Sequence, residues 1–427
     1  MNKLKQYQFS DLYEMSSGIS STKEQAGHGA PFVSFGTVFN NYFLPDILPD
    51  LMDTSEQEQE TYSIKSGDIL ITRTSETIDE LAMSCVAIKD YPKATYSGFT
   101  KRLRPLTEGI AYDKYMAFYL RSEWFRKVIT NNAFMTLRAS FNEDIFSFLK
   151  IYLPEYTEQV KIGDFLYLIE QRIRNNEKTI AVIEDMVKTI FDYWFIQYDF
   201  QNEDGLPYKT NGGRLCWNDI VKRDIPEGWR VGTLRECISN INTGLNPRDN
   251  FVLGDGSIRY ITVKNLTTNG ILDFNGCDFV DEEARAIIHN RSDIKIGDIL
   301  FASIAPLGRC YLIQSEPKDW DINESVFSIR YNEETVSPEY LYSYFMSDLF
   351  IKGATSSSTG SIFKGIRINT LMDIIAVIPD KHVIEKFTKE VEALLKTKEK
   401  KFYQNEQLKV LRDWISPMLM NGQAYLQ

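Results

Sequence analysis

The sequence contains an internal repeat, and this feature constrains the fold more than any other. The segment Ile64–Leu70 recurs almost unchanged as Ile294–Leu300, at an offset of 230 positions. Two strand-like segments flank each copy in the same order, at offsets of 225 to 228 positions. The flanking pairs are Phe32–Phe35 with Tyr260–Val263, and Ile151–Pro154 with Ala376–Pro379. Because these three features and the long helical pattern after each proline recur in one order, we interpret the chain as an internal duplication.

Each repeat combines short alternating strands with a helix before its last strand, and one long helical pattern follows. The predicted fold class is α+β, with two globular domains related by an approximate two-fold axis and two long helices forming an antiparallel coiled coil. The shorter helices are predicted at 112–126 and 338–352. The predicted boundaries are 1–153 for the first globular domain, 154–200 for the first long helix, 201–226 for a connecting loop, 227–379 for the second globular domain and 380–427 for the second long helix.

The long helices carry apolar residues at the spacing of a coiled-coil seam. In the first helix the steps alternate between four and three residues from Ile162 to Trp194, with Asn176 at one seam position. The second seam is less regular but matched in length. Its positions are Ile384, Phe387, Val391, Leu394, Lys398, Phe402, Asn405, Leu408, Leu411 and Ile415.

An antiparallel pair with Ile162 opposite Met418 places Asn176 opposite position 404, next to Asn405. Two arrangements are then open. The asparagines form a buried amide pair that fixes the register at some cost in stability, or both lie on the flank of the helix pair. In either case the pairing would place the globular domains at opposite ends of a rigid spacer.

Composition excludes several classes of protein. The chain has 48 Lys+Arg against 59 Asp+Glu and a net charge of -11, which weakens the case for nucleic-acid binding from bulk charge alone. The five cysteines lie far apart, so neither a disulfide framework nor a zinc site is expected. Since no apolar run approaches the ~20 residues that span a bilayer, we predict a cytoplasmic protein without a membrane segment.

Motifs for catalysis are missing from the sequence. There is no glycine-rich nucleotide loop and no Asn/Asp-Pro-Pro-Tyr/Phe motif, and the three histidines lack a neighbouring nucleophile. Asp380 with Glu399 and Lys401 imitates a metal-dependent nuclease site, but the last two fall within the second long helix, where a solvated helix face is expected. We therefore predict no catalytic residue and no metal ligand.

Several motifs together resemble the specificity subunits of type I restriction-modification systems, over essentially the whole chain. They are the segment Leu153–Ile162 with its acidic-Gln pair, the aromatic end Tyr193–Phe195, the connector segments Asn202–Lys209 and Ile225–Trp229, and the repeated Gly67–Leu70. Pro379–Val383 departs from the pattern because it has no Glu-Gln pair. This difference puts in doubt whether both halves hold a partner in the same way.

The resemblance implies a subunit that reads DNA and performs no chemistry itself. Its globular domains would be target-recognition domains that read two unlike half-sites in double-stranded DNA. Its partners would be two adenine methyltransferase subunits and ATP-dependent restriction subunits. S-adenosylmethionine, ATP and Mg²⁺ would belong to those partners, with no cofactor in this chain. Two alternatives are a coiled-coil scaffold that binds only proteins, and a self-contained methyltransferase or nuclease with a divergent site.

Polar and basic loop residues are the candidates for contacts with bases and phosphates. The predicted DNA-binding residues are Arg73, Thr74, Ser75, Lys101, Arg102 and Arg138 in the first domain, and Ser303, Arg309, Ser357, Ser358 and Lys364 in the second. The predicted partner-binding residues are Glu158, Gln159, Ile162, Trp194 and Phe195.

Overall fold

The computed structural model describes residues 4–20, 22–75, 81–132, 139–304, 308–356 and 365–426. The chain divides into two compact units, the first comprising Met1–Arg174 with Glu406–Gln427 and the second comprising Asn175–Asn405. Each unit therefore contains one globular domain and a part of each long helix.

The first globular domain is built from short strands with helices between them. Its strands are β1 Lys5–Gln8, β2 Tyr13–Ser17, β3 Ala26–Val33, β4 Asp50–Met52, β5 Ile69–Thr72, β6 Thr74–Ser75, β7 Ser84–Val86, β8 Thr95–Tyr96, β9 Thr100–Pro105, β10 Ala139–Ser140 and β11 Lys150–Leu153. Its helices are α1 Phe9–Leu12, α2 Phe35–Asn40, α3 Glu56–Thr61, α4 Asp113–Tyr119, α5 Glu123–Asn132 and α6 Glu143–Phe148, and the long helix α7 Tyr156–Phe191 follows.

The second globular domain has the same general composition. Its strands are β12 Leu215–Asn218, β13 Arg223–Pro226, β14 Arg230–Thr233, β15 Ile238–Thr243, β16 Ile258–Ile261, β17 Asp278–Val280, β18 Ile299–Ala302, β19 Cys310–Leu312, β20 Trp320–Ile322, β21 Val326–Tyr331 and β22 Ile375–Ile378. Its helices are α8 Leu234–Cys237, α9 Glu282–Ser292, α10 Pro338–Met346, α11 Asp348–Ser356 and α12 Ile368–Met372, and the long helix α13 Lys381–Met420 follows.

Sheet topology confirms the duplication. The four-stranded sheet β2-β9-β5-β7 of the first unit matches β15-β21-β18-β19 of the second, and the three-stranded sheet β4-β3-β8 matches β17-β16-β20. In both three-stranded sheets one pair of strands is parallel, β3 with β8 and β16 with β20. The pair β1 with β11 likewise matches β14 with β22. All four residues of β5 and of β18 are buried because these strands lie inside their sheets.

The repeated Gly-Asp motif has a clear structural reason in each unit. Gly67 and Gly297 have φ values of +85° and +89°, which favour glycine. The following Asp68 is fully buried, accepts a hydrogen bond from the Lys65 amide at 2.7 Å and forms a two-point ion pair with Arg104 at 2.8 and 2.6 Å. In the second unit, Asp298 forms the corresponding bonds with the Lys295 amide and with the guanidinium of Arg330. The motif is therefore a structural device that fixes the entry to the central strand.

The two shorter helices predicted at 112–126 and 338–352 are each broken in two. The breaks lie at Ser122 and Ser347, whose hydroxyls donate to the carbonyls of Tyr119 and Tyr344 at 2.6 Å. The same hydroxyls accept from amides three residues onward, so each serine ends one helix and begins the next. A single helical pattern in the sequence does not reveal such a break, because both parts bury their apolar faces.

The predicted connecting loop at 201–226 is also only partly a loop. It contains the antiparallel hairpin β12–β13, in which Leu215 pairs with Pro226 and Asn218 with Arg223. Glycine and asparagine in this segment suggested irregular structure, but each of the two strands has four residues that pair with the other strand.

In the second unit the long helices α7 and α13 contact one another as an antiparallel pair. Asn176 Nδ2 donates to Asn405 Oδ1 at 2.8 Å, and both residues are at most 3% exposed. This contact confirms the buried-pair arrangement and excludes the flanking one. The second seam differs in detail from the predicted seam, because Leu395 is buried where Leu394 was expected. In the first unit, Leu411 is 41% exposed and so does not belong to the buried seam either.

Candidate nucleic-acid interface

A tight turn in the first unit presents a phenylalanine to the surface. Phe99 is 63% exposed, although it lies next to the buried strand β9. Its amide donates to Ser97 Oγ at 3.2 Å, and its carbonyl accepts from the Arg73 amide at 2.8 Å. The Gly98 amide donates to the carbonyl of Ile19 at 2.7 Å. Both sides of this residue are therefore held by hydrogen bonds while the aromatic ring faces outward.

Two cationic residues and a threonine lie beside this turn. Arg73 is exposed and Thr74 is half-buried, at the junction between β5 and β6. Lys101 is the second residue of β9, but it is only 6% exposed and its Nζ donates to Ser17 Oγ at 2.9 Å, so its predicted role in DNA contact is corrected to a structural one. Burial and the positive charge of Arg73 lower the pKa of Lys101. Arg73 and Phe99, which we call the turn patch, combine an exposed cationic residue with an exposed apolar ring.

The structure also corrects the predicted DNA contact of Arg102. Arg102 is only 7% exposed, its guanidinium donates to the Ser63 carbonyl, and it lies over the ring of Tyr96 at 5.5 Å. Arg102 therefore stabilises the domain interior, because it lies on the opposite face of β9 from Lys101. Arg138 and the side chain of Ser75 lie outside the described residues.

The second unit has the same backbone at the equivalent position but different side chains. The Ser303 amide donates to the Ser325 carbonyl at 3.1 Å, as the Arg73 amide donates to Phe99. Ser303 is 7% exposed and its hydroxyl also donates to Ser325, so its predicted role in DNA contact is corrected to a structural one. The neighbouring Ile304 is 41% exposed. Arg309 is half-buried before β19, and the predicted Ser357, Ser358 and Lys364 lie outside the described residues.

Most of the predicted partner-binding residues are buried. Gln159 is 1% exposed and clamps the start of α7, since its amide group bonds with the Tyr112 amide and the carbonyls of Ile110 and Pro154. Ile162 belongs to the core of the first unit, and Trp194 and Phe195 belong to the core of the second. Gln159 and Trp194 therefore have structural roles. Ile162 and the half-buried Glu158 line a cleft together with Leu4 and Tyr425, and Phe195 lines a second cleft.

The structure shows two apolar clefts at equivalent positions of the two repeats. One, of about 480 Å³ in the first unit, is lined by Tyr119, Trp124, Tyr152 and Met420 among others. The other, of about 400 Å³ in the second unit, is lined at the equivalent positions by Tyr344, Leu349, Val377 and Phe195. Lining residues of the two clefts lie 225 positions apart in the sequence, and this offset of the repeats was the signal that could have indicated them.

Charged residues inside the helix pair have structural roles. Lys398 is 3% exposed, and its Nζ donates to Glu184 Oε2 at 2.6 Å and to the Tyr342 hydroxyl at 2.8 Å. In the first unit, Arg412 bonds with Glu170 at 2.9 Å. Each unit thus has an acidic residue of α7 paired with a basic residue of α13.

The nuclease-like pattern is not a site. Glu399 was expected on a solvated helix face, but it is 8% exposed and accepts hydrogen bonds from the hydroxyls of Tyr311 and Ser315 at 3.1 and 2.9 Å. Burial raises the pKa of Glu399. The carboxyl group therefore anchors α13 to the second globular domain.

In the part of the chain that the structure describes, no helix is long and apolar enough to span a membrane.

Comparison with known proteins shows what the chain is similar to. Residues 1–185 match the family described as the type I restriction modification DNA specificity domain. The type I restriction enzyme MjaIX specificity subunit of Methanocaldococcus jannaschii is 23% identical over 373 residues, covering 84% of this chain and 78% of that protein. The HindI specificity subunit of Haemophilus influenzae is 21% identical over 446 residues, covering 92% and 94%.

A solved structure has the same fold. The S subunit of a type I restriction-modification system from M. genitalium aligns over 98% of this chain and 96% of that chain, with a TM-score of 0.58 and 16% identity. The likeness extends through both globular domains and both long helices. Together with the family match over residues 1–185 and the two curated relatives, it shows that the chain is similar to the specificity subunits of type I restriction-modification systems.

Proposed function

We propose that this chain is the DNA sequence-recognition subunit of a type I restriction-modification complex and reads an asymmetric, bipartite target. One observation carries this proposal. The two units share their backbone framework, down to the Arg73–Phe99 and Ser303–Ser325 backbone bonds, but present unlike side chains at that position. Two domains with the same backbone framework but different surface side chains are suited to binding two different half-sites.

Within the first unit, Arg73 is the leading candidate for direct base contact. It is exposed, and its backbone is fixed on both sides, since its amide donates to Phe99 and its carbonyl accepts from Phe141, each at 2.8 Å. An exposed guanidinium on a fixed backbone suits the two acceptors of a guanine edge, a contact worth ~1–3 kcal/mol of discrimination.

We also propose that the length of the helix pair sets the number of unspecified base pairs between the half-sites. This proposal rests on the continuity of α7 and α13 over 36 and 40 residues. It also rests on polar contacts that fix their register, of which Asn176–Asn405 is one.

Methyl transfer and restriction would be supplied by two methyltransferase subunits and by restriction subunits. Two repeat-related clefts, each with exposed apolar side chains such as Trp124 and Leu349, favour a partner present in two copies. S-adenosylmethionine, ATP and Mg²⁺ would then be bound by those partners.

The test is methylome sequencing of cells that express this chain with its methyltransferase partner. We expect one asymmetric bipartite motif, methylated on adenine, that disappears when this chain is omitted. Adenine methylation or DNA cleavage by the purified chain alone, with S-adenosylmethionine or Mg²⁺, would contradict the proposal and favour a self-contained enzyme. Assembly with the partner but no sequence-selective binding of DNA would favour a protein scaffold instead.

A further inference from the structure

The aromatic ring of Phe99 is exposed on the surface of the first unit. A phenylalanine that is 63% exposed keeps much of its apolar surface in contact with water, which is unfavourable in the free protein. The neighbouring residues of the same turn are nevertheless well ordered by hydrogen bonds. The Thr100 amide and hydroxyl both donate to the Ser97 carbonyl, at 2.9 and 2.7 Å.

The turn leaves the ring little freedom to fold back into the domain. A Cβ added at Gly98 would meet the Ile19 carbonyl oxygen at 3.0 Å, so the backbone is packed closely against a neighbouring segment. On the other side, Thr100 is fully buried and pairs with Thr72 of β5. Phe99 is therefore displayed by a rigid support on both sides, as a side chain needs to be when it recognises a ligand.

The residues around the ring of Phe99 indicate what kind of ligand it would contact. Arg73 is exposed, and its amide donates to the carbonyl of Phe99 at 2.8 Å, so a cationic residue adjoins the aromatic one. A surface that combines a cation with one apolar ring matches the major groove of a duplex, where phosphates line the edges and the thymine 5-methyl group is the one apolar substituent of the base edges. Phenylalanine has no hydrogen-bonding group, so it can contact the methyl group and not the polar base atoms.

The second unit has no such ring at the equivalent backbone position, because Ser325 takes the place of Phe99. The contact is therefore specific to one half-site.

We propose that Phe99 recognises the 5-methyl group of a thymine in the half-site that the first unit binds. This inference rests on the proposed function and adds a specificity-determining residue to it. Deoxyuridine lacks the 5-methyl group of thymidine but pairs with adenine in the same way. Replacing thymidine by deoxyuridine therefore measures the contribution of the methyl contact alone.

The experiment uses the complex of the full chain with its methyltransferase partner and the target motif defined by methylome sequencing. Each thymine of the motif is replaced in turn by deoxyuridine, and the dissociation constants are compared. We expect one substitution, in the half-site whose readout changes in the Arg73→Ala variant, to weaken binding about three- to ten-fold, as loss of one buried methyl contact should. In Phe99→Ala, binding to the unmodified target falls by a similar factor, and the deoxyuridine substitution no longer has an effect.

The matched control is Phe148→Ala, since Phe148 is 78% exposed in the same unit but lies at the end of α6. This variant should retain the sensitivity to deoxyuridine. A half-site without thymine, or sensitivity that persists in Phe99→Ala, overturns the inference while the proposed function stands. Loss of complex assembly in Phe99→Ala also overturns it and assigns the ring to a protein interface. Failure of the wild-type complex to select any sequence would instead refute the proposed function.

Discussion

Replacement of Lys398 by methionine should strongly destabilise the second unit. The ammonium group is buried and bonds with Glu184 at 2.6 Å and with the Tyr342 hydroxyl at 2.8 Å. Methionine fills a similar volume but leaves the carboxylate of Glu184 buried without its cation. Breaking a buried pair by removal of one partner costs about 3–5 kcal/mol. Because the Tyr342 hydroxyl also lies within 3.1 Å of both oxygens of Glu184 and can still donate to one of them, we expect about 3 kcal/mol.

The double variant Glu184→Gln with Lys398→Met separates charge from packing. It removes the buried carboxylate as well, so most of the lost stability should return. Lys396→Met is the matched control on the same helix, because the ammonium group of Lys396 is exposed and pairs with the exposed Glu392. This variant should leave stability unchanged.

The assay combines urea unfolding with amide hydrogen exchange. Exchange in α10, which carries Tyr342, should become faster in Lys398→Met, whereas exchange in β5 of the first unit serves as an internal reference. A loss below about 1 kcal/mol in the single variant would refute the role assigned to the ion pair. A double variant as unstable as the single one would do the same, since it would show that lost packing and not the unpaired charge is responsible.

Four further predictions follow from the contacts described above. The variant Asn176→Leu should lose about 1–3 kcal/mol in urea unfolding, because Asn405 loses its amide partner, and adding Asn405→Leu should restore or exceed wild-type stability. Asp321 is fully buried and accepts a hydrogen bond from the Ser292 hydroxyl at 2.7 Å, and burial raises its pKa above 3.8; the stability that this group contributes is therefore lost as pH rises through the folded pKa, and Asp321→Asn should flatten the pH profile of unfolding above pH 3.8. Arg73→Ala should relax the specificity at one base position of the first half-site, whereas Arg104→Ala, which leaves the buried Asp68 without its cation, should cost about 3 kcal/mol of stability; equal effects of the two on thermal melting would contradict this division. Insertion of one heptad into both α7 and α13 should change the gap in the methylated motif but not its half-sites, and an unchanged gap in methylome sequencing would exclude the spacer role.

The sequence predicted those parts of the fold that depend on local periodicity and on the duplication. The pairing of Asn176 with Asn405 followed from two seams that each carry an asparagine, because the register of an antiparallel pair follows from the residue numbers. The seam also included Lys398, but its bond with Tyr342 did not follow, since Tyr342 comes from α10 and a sequence pattern does not show that contact. Gln159 was similarly misjudged, because its bonds to Ile110 and Tyr112 depend on how α7 meets the domain.

The candidate site depends more on tertiary structure than the fold does, for a related reason. Arg73 and Thr74 were candidates because polar residues directly after a buried strand are visible in the sequence, and their role stays a prediction. Phe99 was not among the candidates because a single phenylalanine beside a strand normally belongs to the core. The available signal was its position between Gly98 and Thr100, which is unusual for a core residue, but only the bonds of the turn show that the ring faces outward.

The basic cluster Lys101–Arg104 shows why charge along a sequence does not measure charge at a surface. Successive residues of a strand point to opposite faces, so β9 divides this cluster. Lys101 lies on one face, where it donates to Ser17, whereas Arg102 and Arg104 lie on the other face and both donate to the Ser63 carbonyl. All three cations therefore bond within the domain. The net charge of -11 has the same weakness as a measure of the surface, since it counts paired and exposed groups alike. In the proposed function, an exposed cation such as Arg73 beside Phe99 would contact one half-site whatever the net charge of the chain.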